Sequence, residues 1–216
     1  MNVETEIKLK INNPHELEEQ LFNKSCRNQA CLNTANKQLN IFFKSKDPFV
    51  LSHEEDVLRL RYEKNSPDSI WGKGHYNRLG HNSGYSVWGD GDKEKYFLTH
   101  KGKRLEDDRL NAREETEIEV DNPDNTTQIL NILGYREFFQ YEKYRIEYKE
   151  YELGSKIAID KIPILGFFLE IEAQNAGAIL KTMELLDIKE VENIATSYLN
   201  MLWAETEGKT DFVRFY

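Results

Sequence analysis

Glu4, Glu6 and Lys8 share one parity of the segment 3–9, and Val3, Thr5, Ile7 and Leu9 share the other. Side chains alternate faces along a strand, so this segment has one charged face and one mostly apolar face. The pattern returns along the chain. Arg59 and Arg61 stand opposite Leu58 and Leu60, and Lys101, with Lys103 beyond it, follows Leu98-Thr99-His100. Arg113, Glu115, Glu117 and Glu119 share a parity, and Lys143 and Arg145 flank Tyr144. Asp160 stands opposite Ile157 and Ile159, and Glu170 and Glu172 stand opposite Leu169 and Ile171. Lysine and arginine suit phosphate oxygens, arginine with paired hydrogen bonds. Clustered carboxylates without His or Cys partners suit hard cations such as Mg2+ or Mn2+. Acids and bases in similar number fit a divalent metal complexed with a polyphosphate.

The elements that must position these residues are short. Alternation predicts strands near 2–11, 38–44, 57–63, 95–103, 112–120, 140–149, 156–161 and 167–173. Asn13-Pro14 before the run 15–22 reads as an N-cap with proline at N1, and Asn122-Pro123 before 127–133 repeats that grammar, with Gly134 as a stop. Two further helices are expected near 176–186 and 195–206. Many strands with few helices indicate α+β with a mainly antiparallel sheet. The recurrence of strand, Asn-Pro helix and strands hints at internal duplication. Any one charged face could be the solvated outside of an ordinary barrel or sandwich. The helices, however, have apolar faces that need a partner, and the apolar strand faces supply it. If the sheet closes, the charged faces then turn toward one another and line a tunnel. Charges there are costly unless paired or bound to ions.

The chain has 216 residues, enough for one domain with a sizeable core, and is 39% hydrophobic and 31% charged, as a folded soluble protein would be. A net charge of −9 argues against a protein that tracks a nucleic acid duplex. No run reaches membrane-span length, and a start directly on a charged strand leaves no room for a signal peptide. Cys26 and Cys31 read as ordinary thiols of a reducing compartment, which supports a cytoplasmic location. The five histidines are scattered, and His100 should point outward beside Lys101. The stretch 64–94 holds six glycines with Trp71, Tyr76, Tyr85 and Trp88 and reads as a long insertion or extended hairpin. Its aromatics could stack on a base, but they more often cover a surface or a homodimer contact.

At these residues the sequence resembles the CYTH family, the triphosphate tunnel metalloenzymes, which includes class IV adenylyl cyclases, thiamine triphosphatases and inorganic triphosphatases. Its E-x-E-x-K signature matches Glu4, Glu6 and Lys8. Arg59-Leu60-Arg61, Leu98 to Lys101, Arg113 with Glu115 and Glu117, Lys143-Tyr144-Arg145, Asp160, Leu165 to Glu172 and Ser197-Tyr198 follow in the expected order. The segments 54–61 and 164–170 look most like the class IV cyclase branch. The insertion at 64–94 departs from the compact family pattern.

The resemblance implies an eight-stranded antiparallel β tunnel with a charged interior and helices packed outside, formed by the single domain 1–216. It implies that Lys8, Arg59, Arg61, Lys101, Lys143 and Arg145 grip a triphosphate, with Arg113 nearby. Glu4, Glu6, Glu170 and Glu172 would hold Mg2+ or Mn2+, with Asp160 and Glu115 or Glu117 completing or orienting the shell. Glu4, Glu6, Lys8 and Arg145 are the expected catalytic group. The leading expectation is hydrolysis of the terminal phosphate of inorganic, nucleoside or thiamine triphosphate. The alternatives are cyclisation of ATP to cyclic AMP and pyrophosphate, and a non-catalytic polyphosphate-binding module, which the full set of carboxylates counts against.

Overall fold

The computed structural model describes residues 3–25, 30–46, 56–65, 94–105, 110–188 and 192–215. Through them the chain runs β1 (Val3–Ile11), α1 (Pro14–Ser25), β2 (Ala30–Ser45), β3 (Val57–Asn65), β4 (Glu94–Leu105), β5 (Asn111–Val120), α2 (Pro123–Ile132), β6 (Tyr135–Glu150), β7 (Lys156–Ile162), β8 (Gly166–Ala173), α3 (Ala176–Leu185), α4 (Tyr198–Glu205) and β9 (Phe212–Val213). The sheet order is β2-β3-β4-β5-β1-β8-β7-β6-β9, and β2 also pairs with β6. That pairing closes eight antiparallel strands into a barrel, with β9 as a two-residue parallel addition to β6. The two Asn-Pro repeats meet in this ring, since β1 pairs with β5 and β2 with β6.

The apolar parity of the strands faces outward, onto the helices. Ile7 and Leu9 of β1, Ile157 and Ile159 of β7 and Leu169 and Ile171 of β8 pack with Leu17 and Leu21 of α1 and Ile179 and Met183 of α3. Ile41 and Phe43 of β2 and Leu60 of β3 pack with Leu130 of α2. Burial of this apolar area drives closure and leaves the other parity, with its charges, inside. The expected caps start the helices. Asn13 Oδ1 accepts from the Glu16 amide at 3.4 Å, and Asn122 Oδ1 accepts from the Asn125 amide at 2.9 Å. Gly134, at φ 93°, ends the α2 turn in a conformation that favours glycine.

β2 and β6 extend beyond the predicted segments 38–44 and 140–149 and form the longest seam of the barrel. Asn36 and Lys37 have low strand preference, and the adjacent Phe138 and Phe139 break the alternation. Register shifts at Leu32/Thr34 and Phe42/Phe43 absorb the irregularity. Most of the predicted insertion, residues 66–93, lies outside the described residues, and its four singled-out aromatics and Cys26 lie there with it. No described helix is long and apolar enough to cross a membrane.

Candidate functional site

Inside the barrel lies a cavity of about 690 Å³ whose walls carry charged residues from β1 and from β3 to β8. Of the residues expected to act, Glu4, Glu6, Arg59, Arg61, Lys101, Arg113, Glu115, Glu117, Lys143, Arg145, Glu170 and Glu172 line it. The register produces this convergence. Glu6 pairs with Glu172 and Lys8 with Glu170 across β1 and β8, Lys101 pairs with Glu115 across β4 and β5, and Arg145 pairs with Asp160 across β6 and β7.

Lys8 and Asp160 do not line the cavity. Asp160 is fully buried and accepts from Lys143 Nζ at 3.1 Å, from Arg145 Nε at 2.7 Å and from an Arg145 terminal nitrogen at 2.6 Å. Both its oxygens accept from those two cations. Arg145 also bonds Glu170, which lies 3.7 Å from Lys8 Nζ. Lys8 Nζ donates to the Thr196 carbonyl at 3.3 Å and sits 4.5 Å from the centre of the Tyr198 ring. Burial pushes the Lys143 ammonium down to about 8, and neighbouring Arg145 adds to the shift. Burial also opposes the charge on Arg145, but Asp160 and Glu170 hold its guanidinium well above the ordinary range.

On the opposite wall, Lys101 Nζ lies 2.9 Å from Glu4 and 2.8 Å from Glu115. Burial would push the Glu4 carboxyl up, but Lys101 and hydrogen bonds with Glu115, Glu172 and Lys101 hold it below the usual carboxylate range. Burial and contact with Glu4 push Glu172 up to about 7. Burial and its hydrogen bond with Glu4 also raise Glu115. Arg61 holds Glu117 at 3.1 Å, with Arg59 at 3.7 Å. Among the described residues, no three potential metal ligands already gather about one point. The carboxylates instead meet in pairs, Glu4 with Glu115 and Glu4 with Glu172, with Lys101 against the first pair and Lys156 2.8 Å from Glu172. Such all-oxygen pairs fit Mg2+ or Mn2+, because Mg2+ commonly takes one or two carboxylates and completes its shell with water and substrate phosphate.

The inward parity turns apolar toward one end. Phe42, Tyr141, Ile162 and Phe168 pack against Tyr198, Leu199 and Leu202 of α4, and Phe42, Tyr141, Tyr198 and Leu199 also line the cavity as its floor. Ser197, whose hydroxyl accepts from the Asn200 amide at 3.2 Å, starts that helix at the cavity wall. Sequence reasoning missed several lining residues: Asn36, Gln38, Glu63, Arg104, Tyr141 and Lys156. Continuing the parity of Arg59 and Arg61 by one step reaches Glu63, so that residue was within reach. The amides carry no charge pattern to follow. His100 is exposed, as expected, 3.6 Å from Asp56.

The eight strands close into a tunnel with helices outside and opposed charges within. The CYTH domain model matches residues 2–198, and the chain belongs to that family. A curated "Putative adenylate cyclase" of Methanocaldococcus jannaschii is 28% identical over 119 residues, 55% of this chain and 61% of that protein. A Pyrococcus horikoshii structure superposes with a TM-score of 0.64 at 22% identity, covering 94% of this chain and 99% of that one. A Hippeastrum protein, described as a "putative adenylyl cyclase" with "a dominant" triphosphatase activity, superposes with a TM-score of 0.58 at 16% identity, covering 95% and 96%.

Proposed function

We propose that this protein is a divalent-metal-dependent triphosphatase, formed by 1–216 as one domain and working in the cytoplasm. The observation that carries the reading is the lining of the barrel cavity by eight bases together with eight carboxylates. Arg59, Arg61, Lys101, Arg113, Lys143 and Arg145 hold the phosphate chain. Lys8 and Asp160 orient Glu170, Arg145 and Lys143 from behind. Glu4, Glu6, Glu115, Glu117, Glu170 and Glu172 are the carboxylates that would hold Mg2+ or Mn2+. When bound, such an ion neutralises phosphate oxygens and lowers the pKa of water. Water oxygen bonds to the terminal phosphorus and the bond to the diphosphate oxygen breaks. One water proton passes to solvent or the diphosphate, the other stays on the orthophosphate, and orthophosphate and diphosphate leave. The protein's share is positioning and charge neutralisation, as phosphoryl transfer requires. The activity described for the Hippeastrum neighbour supports hydrolysis.

The name of the Methanocaldococcus relative favours a second reading, attack of a ribose 3′-hydroxyl on the α-phosphorus of ATP to give cyclic AMP and pyrophosphate. Resolving the products formed from ATP, thiamine triphosphate and inorganic triphosphate separates the two. Orthophosphate with the matching diphosphate supports hydrolysis. Cyclic AMP with pyrophosphate overturns it. Arg59→Ala is expected to weaken triphosphate binding by roughly tenfold or more, as loss of a charge-assisted contact would. Unaltered affinity in a titration would remove Arg59 from the site.

A further inference from the structure

Seven strands of the barrel each bring at least one charged side chain to the inward face, and β2 brings none to the cavity. Its inward residues from Thr34 to Phe42 are Thr34, Asn36, Gln38, Asn40 and Phe42, and of these Thr34, Asn36, Gln38 and Phe42 line the cavity. Gln38 Nε2 donates to Glu63 Oε1 at 3.0 Å, and Asn36 Nδ2 donates to Glu63 Oε2 at 3.5 Å. Arg61 Nε, 2.7 Å from Glu63 Oε1, fixes that carboxylate in turn. Because a carboxylate only accepts, these bonds set the orientation of both amides. Their carbonyl oxygens, Asn36 Oδ1 and Gln38 Oε1, are buried and have no partner among the described residues. Asn36 and Gln38 are themselves only 4% and 3% exposed. Buried acceptors left unpaired are costly, so such a pair on a cavity wall marks a place for a donor.

Phosphate oxygens are acceptors and cannot fill that role. Sugar hydroxyls and ring amino groups can. The register sets this neutral wall beside the phosphate grip, with Gln38 opposite Lys143 and Asn36 opposite Arg145. We propose that Asn36 and Gln38, oriented by Glu63, form the subsite for the uncharged organic part of the substrate and select a triphosphate whose organic group carries hydrogen-bond donors, as a nucleoside does. This deepens the proposed function and rests on it.

The test is equilibrium binding of ATP and of tripolyphosphate to the full chain in chelator, where metal-dependent turnover is absent and the cationic walls remain. Gln38→Met keeps the side-chain length and removes the acceptor together with the amide that bonds Glu63. It is expected to lower the affinity for ATP relative to tripolyphosphate by about tenfold. If Gln38→Met does not fold, Asn36→Leu is read in the same way. A wild-type protein that binds neither ligand, in chelator or with Mg2+ restored, overturns the proposed function and this inference with it. A wild-type protein that binds both, with a variant whose affinity ratio stays within about twofold, overturns this inference alone and leaves the phosphate site standing.

Discussion

Replacing Glu4 with glutamine is expected to lower metal-dependent turnover by about a hundredfold while leaving the barrel intact. Glu4 is the carboxylate shared by both acidic pairs, with Glu115 on one side and Glu172 on the other. The substitution keeps the shape and an oxygen that can accept from Lys101 Nζ, now 2.9 Å away. What it removes is one of the negative charges that would hold the cation. Because Lys101 and its neighbours hold Glu4 charged, loss of that charge should also lower the melting temperature modestly. A purely structural Glu4 would lose the same stability through Lys101 but spare turnover. Unchanged turnover would sink the metal assignment.

Asp160→Asn is expected to have the largest effect on stability. Asp160 is fully buried and satisfies two cations that are themselves largely buried, Lys143 and Arg145. Asparagine keeps one acceptor but turns a donor toward those cations and withdraws the charge that compensates them. Breaking a buried ion pair from one side costs about 3–5 kcal/mol. For a chain of this size that lowers the melting temperature by roughly 10 °C. Tripolyphosphate should restore more of that loss than it adds to the wild type, because the bound polyanion replaces the missing negative charge. Thermal unfolding with and without the ligand checks both parts. A variant that melts with the wild type would show that the Asp160 network contributes little.

The barrel was legible because its two faces differ sharply in residue type. Ile7, Leu60, Ile159 and Ile171 fall on one parity, and Glu4, Arg61, Lys101 and Glu172 on the other, so strand positions and inward faces follow from alternation alone. The full length of the β2–β6 seam was less legible. Asn36 and Gln38 look like loop residues until the facing strand supplies their ladder, and the pairing of distant segments is a tertiary fact. The site showed the same division. Alternation identified which charges face inward, but not which of them meet. That Asp160 sits behind Arg145 rather than at the cavity, or that Glu63 ties down two amides, depends on cross-strand register and side-chain reach. The apolar floor was partly written in Phe42, Ile162 and Phe168, which continue the charged parity with uncharged residues. Its partner, α4, comes from far along the chain.

The most direct test of metal-dependent triphosphate hydrolysis is to strip the protein with a chelator and follow orthophosphate release from ATP and inorganic triphosphate as Mg2+ or Mn2+ is returned. The account predicts no release in chelator and saturable release once the ion is restored, with the matching diphosphate formed in equal amount. Undiminished release in chelator, or no release with any ion, would contradict it.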